Sequence, residues 1–172
     1  MSPRLAAWLG SGAIAASLVA FTGEQEGTVL EVYKDPIPNK VVLTVCTGET
    51  NYVTVPGDIR LGAKFTPEEC AAALERSLWT HAQDVIRCTA PAQLTTGQRV
   101  AFTDFAYNAG GANFCNSSMA RNAKAGNVRA SCDALLMWRN AGGKDCSVRA
   151  NGCYGVWLRR QEERRICLAD AS

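Results

Sequence analysis

The sequence predicts an α+β fold: a small N-terminal β-hairpin lobe and a larger, mainly helical lobe, preceded by one weakly hydrophobic helix. Three observations carry this. Residues 28–33 and 41–45 are rich in β-formers and flank the turn chemistry of Asp35-Pro36-Ile37-Pro38-Asn39-Lys40. From Thr66 onward, apolar residues recur at helical spacing between capping and glycine signals. Nineteen consecutive residues near the front, 5–23, carry no charge.

The uncharged stretch comes first. At roughly 1.5 Å rise per residue it is just long enough to cross the apolar core of a bilayer as one helix. Eleven of the eighteen residues 5–22 are Ala, Gly, Ser or Thr, which leaves little of the Leu, Ile, Phe and Val that favour insertion. The segment can reach a membrane but is held there weakly. The hairpin follows, with residues 52–55 expected as a third strand. Thr66-Pro67-Glu68-Glu69 reads as a capping box with Pro at the first helical position, and Cys70, Leu74, Leu78, Ala82 and Val85 then fall on one helical face. Further helices are expected over 98–109, over 117–124 with Ser117 as cap, over 128–140 ending at Gly142-Gly143, and over 154–168 with ion pairs such as Arg159–Glu163. A cleft between two such lobes would suit a long substrate.

Behind the segment at 1–23, residues 24–172 suit one globular domain. Residues 1–98 hold seven Lys/Arg against ten Asp/Glu and residues 99–172 eleven against six, so the net +2 divides into −3 and +5. That mild asymmetry is no nucleic-acid signature. The eight cysteines form no CxxC pair, and the single histidine, His81, could not complete a usual zinc site, so no metal or cofactor is expected. His81 reads as a surface or interface residue. An even cysteine count behind an export-like N-terminus predicts disulfides in an oxidising compartment, with roughly a hundred pairings open. Cys146 with Cys153, bracketing Asn151-Gly152, is the best local guess. Trp79, Trp138 and Trp157 are assigned to the core.

Four acids crowd the start of the domain: Glu24, Glu26, Glu31 and Asp35. Glycoside hydrolysis needs two carboxyls with different tasks, one protonated to donate to the leaving oxygen and one ionised to position water or stabilise positive charge. Glu26, expected at a helix end, and Asp35, expected at a hairpin, suit that division. Glu26-Gly27, the eight residues between Glu26 and Asp35, Tyr33-Lys34-Asp35 before the turn and Thr44-Val45-Cys46-Thr47-Gly48 after it together resemble the phage-type lysozymes, glycoside hydrolase family 24. Residues 105–110 (Phe-Ala-Tyr-Asn-Ala-Gly), Asn113-Phe114, Ser117-Ser118, residues 138–144 and Arg159-Arg160-x-x-Glu163 extend the likeness through most of the domain. The resemblance implies a lysozyme-like fold. It also implies Glu26 as general acid, Asp35 as the water-orienting carboxylate and Thr44 as its hydroxyl partner, with inversion at the anomeric carbon. Two features depart from the family. Eight residues separate Asp35 from Thr44, a few more than is usual, and Glu49 stands five residues after Thr44 where a histidine is common.

The weakly apolar opening resembles the signal-arrest-release subgroup of these endolysins, whose uncleaved segment tethers the enzyme inactive before leaving the bilayer. The resemblance implies a monomeric muramidase acting on peptidoglycan glycan strands during host lysis. It would be exported, transiently held at the inner membrane of a Gram-negative host through residues 5–22, and then periplasmic. Two other readings compete: a lysozyme secreted behind a cleaved signal peptide, and a non-catalytic, membrane-tethered wall-binding protein on the same scaffold.

Overall fold

The computed structural model describes residues 2–35, 42–50 and 59–170. The chain divides into two compact units, 1–80 and 81–172. The first opens with two helices where the sequence suggested one. Helix α1 (Pro3–Leu9) begins on Pro3 and ends on Gly10, whose φ of 98° is open to glycine and costly for other residues. Ser11 then caps α2 (Gly12–Glu26) by accepting from the Ile14 N–H. The two axes are bent by 99°, and among the described residues no single helix is long and apolar enough to cross a membrane, although the pair passes by length and composition together. Leu5, Leu9, Ala15 and Leu18 are buried, and the Ser2 N–H donates to the Glu75 carboxylate.

Strands β1 (Val29–Asp35) and β2 (Val42–Cys46) pair antiparallel, with Tyr33 opposite Thr44 and Asp35 opposite Val42. The register shifts between Val29 and Tyr33, so the ladder is broken on the side nearer Cys46. The other edge of β1 is covered by residues 62–65: the Val32 N–H donates to Ala63, Gly62 donates to Val32, and Phe65 donates to Leu30. The third strand expected at 52–55 lies outside the described residues. Helix α3 (Pro67–Thr89) starts on the expected capping box, with the Thr66 N–H donating to the Glu69 carboxylate at 2.8 Å and the Glu69 N–H to the Thr66 hydroxyl at 3.2 Å. Its apolar face, Cys70, Leu74, Leu78, Ala82 and Val85, is buried as the spacing implied. Val32, Val45, Cys46, Ile59, Cys70 and Ala73 form the core under the hairpin.

The second unit is built on α4 (Thr96–Ala109) and α8 (Tyr154–Cys167), which pack side by side. Thr95 and Gln98 form a capping box, so α4 starts two residues before the position expected from its apolar spacing. Short helices α5 (Gly111–Asn116), α6 (Ser118–Lys124, capped by Ser117) and α7 (Val128–Asp133) follow. The helix expected over 128–140 is therefore cut short: α7 passes into a 3₁₀ turn, Ala134–Met137. Gly142-Gly143, taken from sequence as a helix stop, instead turns a small hairpin of β3 (Asn140–Ala141) and β4 (Lys144–Asp145), both glycines having positive φ.

Four disulfides join Cys46–Cys70, Cys88–Cys115, Cys132–Cys167 and Cys146–Cys153, the last as expected. The tryptophans are only partly buried, including the three assigned to the core; Phe102, Phe105 and Phe114 are the fully buried rings of the second unit. Trp138 meets Phe105 edge-on at 5.1 Å. His81, read from sequence as a surface or interface residue, is partly buried, edge-on to Tyr107, and burial pushes its pKa down against the pull of Asp84.

Candidate active site

The three residues singled out from the sequence all fall in the first unit. Glu26 is the last residue of α2, exposed, with its carboxylate carried at the helix C-terminus. Gly27 ends the helix with φ 72°, and this left-handed exit lets the chain leave the helix end and run on into β1. Asp35 ends β1. Thr44 lies on β2 two pairs further along the ladder, so the two side chains share a face of the hairpin as diagonal neighbours. The Thr44 hydroxyl donates to Asp35 Oδ2 at 3.4 Å, and Thr44 is only 2% exposed while Asp35 is partly exposed. The longer connection between them leaves this hydrogen bond in place.

Such a pair can hold a water molecule. A threonine hydroxyl that donates to a carboxylate keeps its lone pairs for accepting, and the carboxylate keeps further acceptor positions. A water donating to both would present its own lone pair outward. Of the two remaining acids, Glu31 bridges Lys64 along the covered edge of β1 with the two exposed side chains 3.9 Å apart, and Glu24 lines a different hollow. That hollow, about 500 Å³, lies between α2, β1 and the start of α3 and is walled by Val19, Ala20, Leu30 and Leu74; none of the three candidate residues lines it.

Immediately after β2, the turn Cys46-Thr47-Gly48 folds back so that Val45 and Glu49 exchange both backbone hydrogen bonds. Glu49, at the position of the family's usual histidine, is 5% exposed and accepts from the Thr47 hydroxyl at 3.4 Å. Among the described residues, no group of three His, Cys, Asp or Glu side chains is placed to hold a metal ion.

The sequence reading left one cluster almost untouched. In the second unit Arg159 grips Asp104 with two hydrogen bonds of 2.9 Å, Arg160 donates to Glu163 at 2.6 Å and to Asn108 at 3.0 Å, and Arg159 stands 3.7 Å from Glu163. All four charged side chains are buried. Burial lifts the Glu163 pKa well above the ordinary carboxylate range; Arg160 and Arg159 oppose that rise and Asp104 adds to it. The sequence signals were the spacing of Arg159 and Glu163, which reads equally well as a solvated ion pair, and the likeness of Arg159-Arg160-x-x-Glu163 to the family's closing segment, neither of which implies burial.

The phage lysozyme family model matches residues 23–163, which include all three candidate residues. The chain is 36% identical over 172 residues to the SAR-endolysin of Enterobacteria phage PA-2, covering 95% of this chain and 93% of that relative. The SAR-endolysin of Enterobacteria phage P21 matches with the same identity and coverage. Among solved structures, a mutant of P22 lysozyme superposes with a TM-score of 0.72 at 26% identity, covering 90% of this chain and 97% of that one. A hairpin that pairs an aspartate with a threonine, a glutamate ending the preceding helix and a second, helical unit thus occur in a chain related to these proteins over nearly its whole length. The chain belongs to the phage lysozyme family and is a glycoside hydrolase of the muramidase kind.

Proposed function

We propose that the protein is a phage endolysin that hydrolyses the β-1,4 bond between N-acetylmuramic acid and N-acetylglucosamine in peptidoglycan, with inversion. The observation that carries this reading is the Thr44–Asp35 hydrogen bond on one hairpin face, downstream of a glutamate at a helix end. Glu26, protonated, donates to the glycosidic oxygen as the bond to the anomeric carbon breaks. A water held by Asp35 and Thr44 attacks that carbon from the opposite face, and Asp35 takes its proton. The sugar develops oxocarbenium character between the two carboxylates, so an ionised Asp35 also stabilises the positive charge. An inverting reaction calls for carboxyl groups roughly 6.5–9.5 Å apart, room enough for the water.

Residues 1–23 serve as a membrane segment and 24–172 as the catalytic domain, a monomer. The segment holds the enzyme at the inner membrane of the infected Gram-negative host until it leaves the bilayer into the periplasm. Its composition supports this, as does the name of the relatives.

Glu26→Gln is expected to lower peptidoglycan hydrolysis by at least about a thousandfold, since it removes the acid and keeps the shape. Circular dichroism and wall binding should be unchanged. Muramidase activity retained by the purified variant, measured as release of reducing ends, would sink the assignment. Wild-type protein that binds the wall without releasing reducing ends would instead favour the non-catalytic reading.

A further inference from the structure

Cys46 is a conspicuous residue in the first unit. Its φ is +59°, and among the described residues it is the only non-glycine in the left-handed region. A side chain there is disfavoured because Cβ crowds the following carbonyl, and glycine would sit without that cost. A cysteine at such a position points to a need for its sulfur. The residue lies two places after Thr44 on the same strand and is bonded to Cys70 in the first turn of α3.

On the Asp35 side Thr44 is held in the ladder opposite Tyr33; beyond Thr44 the strand meets β1 again only where Cys46 lies opposite Val29, and it turns back through the Val45–Glu49 pair. The register of the hairpin shifts between Val29 and Tyr33, so no continuous ladder runs from Thr44 to Cys46. The hydrogen bond from Thr44 to Asp35, at 3.4 Å, is at the long limit and cannot itself hold the strand. The start of α3, by contrast, is well anchored. Its capping box is closed, and Phe65, just before it, donates to Leu30 of β1. The disulfide therefore ties the end of the threonine's strand to a point that is already fixed to the aspartate's strand.

We propose that Cys46 and Cys70 are positioning residues for the hydrolytic reaction: their disulfide sets Thr44 beside Asp35, so full activity appears only once this bond has formed. The proposal rests on the reading of Asp35 and Thr44 as the water-holding pair. Formation is a thiol–disulfide exchange in which each thiol gives up a proton and an electron to an acceptor protein disulfide of the export compartment, itself reduced to the dithiol.

The test compares purified full-length wild type, Cys46→Ala/Cys70→Ala, Cys46→Gly/Cys70→Ala and, as control, Cys146→Ala/Cys153→Ala, each with and without Thr44→Ala. Kinetics on soluble peptidoglycan are read well below each variant's melting temperature. Loss of the Cys46–Cys70 bond should lower kcat about tenfold or more with KM within about twofold, because orientation of the water and not substrate binding is lost. The glycine variant, which relieves the backbone, should be more stable than the alanine variant without recovering kcat. Thr44→Ala should cost much less in these backgrounds than in wild type, and the control should keep its activity. Unchanged kcat in a folded Cys46/Cys70 variant, or rescue by glycine, overturns the proposal. If Thr44→Ala leaves wild-type kcat unchanged, the water-holding role of Thr44 fails instead. Should the double variants not fold, graded reduction of wild type with the open bond mapped by mass decides the matter: activity must fall with the opening of Cys46–Cys70, and loss that follows another bond refutes the proposal.

Discussion

At the scale of single residues, the groups proposed for the chemistry differ from those that form the buried charge cluster. Glu26, Asp35 and Thr44 were legible in the sequence because their order and spacing form a pattern along the chain. The cluster of Asp104, Arg159, Arg160 and Glu163 was not, since charged residues at helical spacing look the same whether they face water or the interior. Its burial has a pH consequence. Glu163 has a folded-state pKa above its unfolded value, so its contribution to stability is fully present at low pH and is lost as pH rises through the folded pKa. Arg160→Met removes the nearest counter-charge, pushes that pKa higher and prolongs the loss. The variant is expected to be about 3–5 kcal/mol less stable than wild type at alkaline pH. Below the ordinary carboxylate pKa the penalty should shrink as Glu163 becomes neutral in both states. Urea unfolding at several pH values checks this, and a penalty that grows towards acid would contradict it.

Elements were legible where a local signal was strong and ambiguous where two structures share one signal. The Thr66/Glu69 box marked the start of α3 and Ser117 the start of α6. Gly142-Gly143 ends a helix as readily as it turns a hairpin, and only the pairing of Asn140 with Asp145 and of Ala141 with Lys144 decides between them. The contact of α4 with α8 is another feature with no sequence signature. Gly97 faces α8 so closely that an added Cβ would overlap the Ile166 carbonyl oxygen and lie 3.1 Å from that of Cys167. The obstructing atoms are backbone and cannot rotate away. Gly97→Ala should therefore destabilise by about 2 kcal/mol or more, despite the better helix propensity of alanine. Denaturant unfolding reads this directly, and an increase in stability would show that the two helices can move apart at no cost.

At the scale of the molecule, the proposed function gives the N-terminal segment two states. In the proposed membrane-held state its apolar residues would be covered by lipid; in the structure, bent at Gly10-Ser11, Leu5, Leu9, Ala15 and Leu18 are buried within the protein. The bent form needs Gly10 in the left-handed region and gains the Ser11 cap. Gly10→Ala penalises it by roughly 1–2 kcal/mol, which shifts the partition towards the membrane roughly 5–30-fold. Membrane fractionation with intact-mass analysis, before and after collapse of the proton-motive force, should show slower release of uncleaved protein. An unchanged time course would remove the bend from the release step, and a mass lacking the first residues would favour the cleaved signal peptide. By itself the sequence determined the α+β class, the family and the candidate residues, because periodicity, caps and motif spacing are properties of neighbours along the chain. Tertiary structure decided the bend at Gly10, the disulfide pairing, the burial of the Arg159 and Arg160 charges and the left-handed turn at Cys46. Each of these depends on which distant segment lies alongside, and linear spacing does not encode that.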